Sequence, residues 1–176
     1  MINKILVAVD RFSDNQTAYD SAIDIAKSTG ASIMLLHVIK ESESSYPILP
    51  TYAYYPIMDN RDYQVYQEKL KQYKQLGIDF LMNLTQKATD AGVNTEYTQL
   101  MGNPGRRICE LASTWGADLI LVGSRGLNGL QEMFLGSVSN YVTHHSPCSV
   151  LIARTHSGSS NSESSVIQQR ELTKQT

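Results

Sequence analysis

Short runs of consecutive apolar residues, separated by segments long enough to form helices, constrain the fold of this chain more than any other feature. An apolar run without alternation is typical of a strand covered on both faces, as in a parallel sheet, so helices must lie on both sides. The four clearest runs are residues 5–9, 33–39, 119–122 and 150–153. Residues 93–100 alternate more and include Thr95 and Gln99, which predicts a fifth strand at a sheet edge.

The segments between the strands carry helix boundary signals. The first predicted helix begins after Ser13, where Ser13 and Gln16 match a capping box, and it stops at Gly30. The third predicted helix has Asn103 as its N-cap and Gly116 as its terminator. Strand and helix signals therefore alternate along the chain.

Two further helices complete the pattern. The second, over about residues 62–91, would be about 45 Å long, and Gly77 inside it favours a bend or break. The fourth runs from residue 137 to about 145 and ends before Pro147. Strands that alternate with helices predict an α/β fold, a single doubly wound domain over residues 1–154 with a five-stranded parallel sheet. Such folds bind ligands at the carboxyl ends of strands, near the topological switch point.

Two segments stand outside this pattern. Residues 41–61 are rich in Tyr and Pro and are long for a loop inside a compact domain. The alternatives are an irregular surface loop whose tyrosines fold back on the adjacent long helix, a lid over a ligand, and a contact surface for another subunit. Residues 155–176 are rich in Ser, Gln and Thr, which predicts a disordered tail.

Composition narrows the range of partners. A net charge of −2 and a pI of about 6.1 provide no basic field, so we expect neither nucleic acid nor an acidic membrane as a partner. The N-terminal residues lead straight into a strand, and no apolar run approaches the ~18 residues of a membrane span, so we expect a cytoplasmic protein. Cys109 and Cys148 lack metal-ligand spacing and are expected to be buried, reduced thiols, and we predict no metal site.

A glycine-rich motif lies between the fourth predicted strand and the fourth predicted helix. It reads Gly123-Ser124-Arg125-Gly126 and, after a spacer of nine residues, Gly136-Ser137. Glycines let the backbone approach an anion closely and adopt positive φ, and a helix that begins near Ser137 presents unpaired N–H groups. The motif therefore indicates a phosphate site, although its spacing is neither that of the P-loop nor that of the dinucleotide fingerprint.

With this spacer in view, the chain resembles the universal stress protein family, in particular its ATP-binding branch. The family pattern is Gly, two residues, Gly, nine residues, Gly and then Ser or Thr, and every element is present. The resemblance spans residues 1 to about 154 and includes the first strand with Asp10, the strand ending Leu36-His37-Val38, the turn Gly102-Asn103-Pro104 and residues 146–151. It implies strand order 3-2-1-4-5, which puts the first and fourth strands side by side at the switch point.

The resemblance also implies a role for each site residue. Asp10 would accept a hydrogen bond from a ribose hydroxyl, and the backbone of Val38 would read adenine. The motif glycines would leave room for ribose and phosphates, the start of the fourth helix would donate hydroxyl and amide groups, and Arg125 would add a charge-assisted contact. The complete set expected to bind the nucleotide is Ala8, Val9, Asp10, Val38, Val122, Gly123, Arg125, Gly126, Gly136, Ser137, Val138 and Ser139.

The same residues also have purely structural interpretations. Asp10 can cap the turn before the first helix, and glycine and serine are equally suited to turns and helix caps without any ligand. An exposed loop arginine such as Arg125 is often merely solvated. This chain also departs from the family pattern after Asp10, because Arg11 and Phe12 stand where the family often has Gly or Pro.

We expect the ligand to be ATP, or else ADP or AMP, with any Mg²⁺ held by the phosphates. The primary interpretation is a nucleotide-sensing binding module in stress response. The alternatives are a slow ATPase or nucleotide hydrolase on the same scaffold, and an interaction protein that binds no nucleotide. Phosphoryl transfer needs a positioned cation, a Mg²⁺ ligand and a water-orienting group, for which only Arg125 and Asp10 are visible in the sequence. We therefore predict no catalytic residue and expect any turnover to be poor.

We also expect a homodimer. The family usually associates through its last strand, and here that strand is short, apolar and expected at a sheet edge, where unpaired backbone groups invite a symmetric partner. The residues expected in the contact are Ser149, Val150, Leu151, Ile152 and Ala153.

Overall fold

The computed structural model describes residues 1–12, 16–48, 60–124 and 135–154 as five strands and four helices in strict alternation. The elements are β1 (Lys4–Ala8), α1 (Gln16–Thr29), β2 (Ser32–Ile39), α2 (Asn60–Asp90), β3 (Thr95–Met101), α3 (Pro104–Trp115), β4 (Leu119–Gly123), α4 (Ser137–His145) and β5 (Ser149–Ala153). All neighbouring strands are parallel, and their order is β3-β2-β1-β4-β5. The expected doubly wound sheet and its strand order are thus confirmed, with β3 and β5 at the two edges.

Two apolar layers hold the helices on the sheet. Alternate strand residues face opposite sides, so neighbours such as Ile5 and Leu6 belong to different layers. One layer packs under α1 and α2 and includes Ala22 and Leu81, and the other packs under α3 and α4 and includes Ile108. Burying one such leucine or isoleucine contributes roughly 1.5–3 kcal/mol relative to exposure. Because both faces of the central strands are buried, their buried residues are apolar apart from His37 in β2.

Most of the predicted helix boundaries agree with the structure. Asn103 is the N-cap of α3, and Gly116 ends it in a left-handed conformation with φ of 71°. Gly30 also has a positive φ, of 74°, directly after α1. The predicted cap Ser13 lies outside the described residues.

A break at Gly77, one of the two alternatives expected there, is wrong, because α2 runs without interruption from Asn60 to Asp90. A Cβ atom at Gly77 would lie 1.9 Å from Nε2 of Gln99 and 2.9 Å from Nδ1 of His37. Glycine therefore lets the helix cross β2 and β3 at close range. The helix also begins at Asn60, so Arg61 is helical rather than part of the preceding loop.

The two irregular segments are described only in part. The residues just after β2 form turns, and the ring of Tyr46 packs edge-on against Tyr73 of α2 with centroids 5.7 Å apart. This tyrosine does fold back on the long helix, as one interpretation proposed. Residues 49–59 and the expected disordered tail, 155–176, lie outside the described residues. None of the helices that the structure describes is long and apolar enough to span a membrane.

Candidate functional site

The topological switch point of the sheet lies between β1 and β4. β1 pairs with β2 on one side and with β4 on the other, and successive strands are added outward in opposite directions from this pair. The carboxyl ends of β1, β2 and β4 meet at one edge of the sheet, which is where open α/β sheets bind ligands. Of the predicted site residues, Ala8, Val9, Asp10, Val38, Val122 and Gly123 lie at or next to these ends.

The two halves of the glycine motif are brought together at this edge. The amide of Gly136 donates to the carbonyl of Ser124 at 3.1 Å, and the amide of Ser124 donates to the carbonyl of Ala153 at 2.9 Å. Gly123 and Gly136 therefore lie at the same strand end. Arg125 and Gly126, which belong to the predicted set, lie outside the described residues.

Backbone conformation is not the reason for glycine at Gly123 or Gly136. Gly136 has φ of −59° and ψ of 156°, which any residue can adopt, and Gly123 is not among the glycines with positive φ. The expectation that these glycines adopt positive φ is therefore wrong for both. What remains is the other property of glycine, a backbone that a ligand can approach closely.

The first amides of α4 have no acceptor among the residues that the structure describes. Its N-cap, Gly136, offers no side-chain hydrogen bond, and the amides of Ser137, Val138 and Ser139 have no acceptor within the described part of the chain. Ser139 is buried, and its hydroxyl donates to the Gly136 carbonyl at 2.9 Å, so of this residue only the amide is available to a ligand. Unpaired amides and the positive end of the helix dipole together favour an anion.

At Val38, the backbone groups of β2 that point toward β1 are no longer hydrogen-bonded to it. The last register pair is Ala8 with Leu36, and the amide of Val9 donates to the Leu36 carbonyl at 2.9 Å. Backbone groups of alternate residues point to the same edge of a strand, so those of Val38 also face the β1 side. Within the residues described, no backbone hydrogen bond joins Val38 to β1 or the chain after it. A donor and an acceptor are therefore available side by side, while the Val38 side chain is buried.

Asp10 follows β1 and is half-buried. Its Oδ1 accepts the amide of Phe12 at 3.1 Å, so the turn-capping interpretation of this residue is confirmed. A carboxylate has several lone pairs, and one such bond does not use up its capacity to accept a ligand hydroxyl.

A groove of about 680 Å³ opens between the N-termini of α3 and α4, next to the ends of β2 and β3. We call it the α3/α4 groove. Its walls include Ser137 and Val138 of the predicted set. The other lining residues, which sequence reasoning did not assign to the site, are Lys40, Glu41, Ser42, Gly102, Asn103, Pro104, Gly105 and Tyr141. The turn at residues 102–104 was recognised in the sequence and directly follows a predicted strand. Its position could therefore have indicated that it lines a ligand site.

His37 lies beside Val38 but faces the opposite layer. It is 2% exposed, its Nδ1 lies 3.1 Å from Nε2 of Gln99, and its Nε2 has no partner within the described chain. Burial lowers the pKa of His37, with the nearby Asp10 and Glu43 carboxylates opposing that shift. The imidazole is therefore neutral near pH 7. Among the described residues, no group of three His, Cys, Asp or Glu side chains could hold a metal ion.

Comparison with known proteins agrees with this architecture. The universal stress protein Sll1388 of Synechocystis is 36% identical over 151 residues, which cover 86% of this chain and 97% of that relative. The solved structure of the universal stress protein UspA from Lactobacillus plantarum has a TM-score of 0.68 at 25% identity and covers 87% of this chain and 98% of its own. A universal stress protein solved in complex with cAMP has a TM-score of 0.56 at 24% identity, covering 87% and 97%, which shows the shared fold.

The family model described as the universal stress protein family matches residues 1–154, which are nearly nine-tenths of the sequence and contain every described element. The family match and the identity to the Synechocystis relative agree with the strand order and with the joined glycine motif. This chain belongs to the universal stress protein family.

Proposed function

We propose that this protein binds an adenine nucleotide, ATP in the first instance, across the switch point between β1 and β4. The observation that carries the proposal is the uncapped N-terminus of α4, which lies beside the joined glycine motif. Three adjacent amides that have no acceptor in the described part of the chain lie at the positive end of a helix dipole, and they match the chemistry of a phosphate chain. Glycine at positions 123 and 136 leaves the backbone open to that chain.

The base and ribose would lie toward β2. The amide and carbonyl of Val38 offer one donor and one acceptor, the pattern that the N1 atom and the amino group of adenine require. Guanine presents the reverse pattern at these positions, so the same backbone pair would select against it. Asp10, at the end of β1, would accept from a ribose hydroxyl while keeping its bond to the Phe12 amide.

The complex of a related universal stress protein with cAMP supports the choice of an adenine nucleotide. We propose the triphosphate here because the amides of Ser137, Val138 and Ser139 and the hydroxyl of Ser137 together provide several donors for a phosphate chain. Arg125, which lies between Gly123 and Gly126, would add a charge-assisted contact, and any Mg²⁺ would be held by the phosphates.

We propose regulation through binding rather than turnover. Phosphoryl transfer needs a water-orienting group and a metal ligand in addition to phosphate contacts. Asp10 would have to serve in both roles while its Oδ1 already accepts from the Phe12 amide. The bound and free states would then differ in what α4 and the spacer present to a partner.

A homodimer through β5 forms part of the proposal. β5 is an edge strand with free backbone groups on one side, and Leu151 is 38% exposed on it. Sedimentation at tens of micromolar should show a dimer, and a monomer under these conditions would contradict this part.

Calorimetric titration with ATP, ADP, AMP, cAMP and GTP tests the proposal directly. We expect ATP to bind most tightly and GTP at least about 10-fold more weakly, which corresponds to about 1.4 kcal/mol for the mismatched pair at Val38. Mass spectrometry of any nucleotide released on denaturation tests for ligand retained during purification. A protein that releases no nucleotide and binds none of these would instead be the interaction protein of the alternative hypothesis.

A further inference from the structure

The turn after β1 departs from the family pattern at Arg11 and Phe12, and the structure shows what the change contacts. The guanidinium of Arg11 lies over the ring of Phe12, 4.8 Å from its centroid, and over the ring of Tyr73 in α2, at 5.3 Å. Tyr73 is 7% exposed. A cation between two aromatic faces stabilises the turn that begins at Asp10, and one of those faces belongs to a different element.

Tyr73 also holds the chain that follows β2. Its hydroxyl donates to Oε2 of Glu43, and its ring packs edge-on against Tyr46. The other oxygen of Glu43, Oε1, is buried without a partner within the described chain, so the carboxylate depends heavily on Tyr73. Burial raises the pKa of Tyr73, and the bond to Glu43 raises it further, so the hydroxyl keeps its proton as donor.

Glu43 in turn fixes one wall of the α3/α4 groove. Its amide donates to the carbonyl of Lys40 at 3.2 Å, and its carbonyl accepts the amide of Tyr46 at 3.0 Å. The first of these turns contains Glu41 and Ser42, which line the groove together with Lys40. One buried side chain, Tyr73, therefore contacts both the Asp10 turn and the segment that forms this wall.

We propose that Tyr73 is a positioning residue for the base-and-ribose end of the nucleotide site, acting through Arg11 on one side and Glu43 on the other. The inference rests on the proposed function. The contacts of Tyr73 involve the β1–α1 turn and the segment after β2, not the N-terminus of α4. The wall at Glu41 and Ser42 also faces Ser137 and Val138 across the α3/α4 groove. Tyr73 therefore supports the affinity for the nucleoside part of ATP more strongly than the affinity for a bare phosphate chain.

Titrations with two ligands distinguish this positioning role from a general effect on folding. ATP and inorganic tripolyphosphate are titrated into the wild type and into Tyr73→Phe, which removes the hydroxyl and keeps the ring. We expect Tyr73→Phe to bind ATP about 3-fold to 10-fold more weakly, because part of one hydrogen bond to a charged group is lost, and to lose clearly less affinity for tripolyphosphate. Glu43→Gln keeps an acceptor for the hydroxyl and should retain most of the ATP affinity.

Tyr19→Phe is the matched control. Tyr19 is 6% exposed, and its hydroxyl donates to the carbonyl of Leu84 at 2.8 Å, so it too is a buried tyrosine with one bond between elements. Its loss should leave the affinity for both ligands unchanged. If Tyr73→Phe does not fold, Arg11→Met removes the cation from the half-buried turn without touching the core and should weaken ATP binding about 2-fold to 4-fold.

The outcomes are separable. A wild type that binds neither ATP nor tripolyphosphate refutes the proposed function, and this inference with it. A wild type that binds ATP, with Tyr73→Phe and Arg11→Met at the same affinity, overturns the inference and leaves the proposed function standing. Equal losses for ATP and tripolyphosphate in Tyr73→Phe would show a general structural role and would also overturn it.

Discussion

Helices α3 and α4 begin at the same edge of the sheet and on the same face, yet their N-termini are built differently. At α3, Oδ1 of Asn103 accepts the amide of Arg106 at 3.1 Å, and Pro104 carries no amide that needs an acceptor. At α4, Gly136 is the N-cap without a side-chain acceptor, and the first three helical amides have no partner in the described chain.

The N-terminal amides of α3 contribute to the stability of the helix, whereas those of α4 are left for binding. A side-chain cap contributes about 1 kcal/mol to a helix, and the sequence places one at α3 but leaves it out at α4. An N-terminus whose amides already have acceptors, such as that of α3, leaves few donors for an anion. The N-terminus of α4 is less stable alone, and it gains its acceptors when a ligand supplies them. Substitutions at the two ends should therefore have opposite consequences for stability and for affinity.

The largest effect is expected from Gly136→Val. The backbone of Gly136 is in a region that valine can adopt, so folding should be largely retained, while the branched side chain would occupy the space of the phosphate chain. We expect ATP affinity to fall more than about 100-fold, which is more than about 2.7 kcal/mol. Calorimetry measures the affinity, and Gly136→Ala, with its single methyl group, should give an intermediate loss. Undiminished binding by Gly136→Val would place the phosphates elsewhere.

Ser137→Ala should have the next largest effect. Ser137 is exposed at the first turn of α4, and its hydroxyl makes no hydrogen bond within the described chain, so removing it should hardly change the free energy of unfolding. A charge-assisted hydrogen bond to phosphate is worth about 1.5–3 kcal/mol, so ATP affinity should fall about 10-fold to 100-fold. Denaturant unfolding and calorimetry together check this. A variant that loses stability but binds ATP normally would show that Ser137 is a structural residue.

The contrast between the two helix ends could be predicted only in part from the sequence. Asn103, Pro104 and Gly116 form a local pattern with a local consequence, and α3 has the predicted ends. The continuous apolar runs predicted the strands for the same reason, because a strand that is buried on both faces needs apolar side chains at successive positions. The order of the strands came from the family resemblance, since no local pattern encodes it.

Features that depend on distant contacts were missed. Gly77 suggests a helix break when α2 is considered alone, but its lack of a side chain matters because Gln99 and His37 approach it. Tyr73, Arg11 and Glu43 come from separate segments, and no spacing in the sequence connects them. The open state of the α4 N-terminus was correctly expected, but the reason given for its glycines, positive φ, depends on backbone angles that the sequence does not show.

Asn103→Ala should reduce stability more than ATP affinity, which is the opposite of the result expected for Ser137→Ala. Its side chain accepts from its own helix, so its loss should lower the free energy of unfolding by about 1 kcal/mol. ATP affinity should change by less than about threefold, which is under about 0.7 kcal/mol. Urea unfolding checks the first value and calorimetry the second. A loss of affinity that exceeds the loss of stability would mean that the α3 end also binds the ligand.

The most direct conversion of one helix end into the other comes from Ser137→Asp, which should change the stability of the ligand-free protein only slightly. A carboxylate in the first turn of α4 would interact favourably with the helix dipole and should stabilise the ligand-free protein by about 0.3–1 kcal/mol. The same charge would repel the phosphates, so ATP should no longer raise the unfolding temperature. Ser137→Asn is the neutral control, and it should give less stabilisation and retain some response to ATP. A Ser137→Asp protein that is stabilised by ATP as strongly as the wild type would show that no phosphate lies at this helix end, and the contrast between α3 and α4 would then concern stability alone.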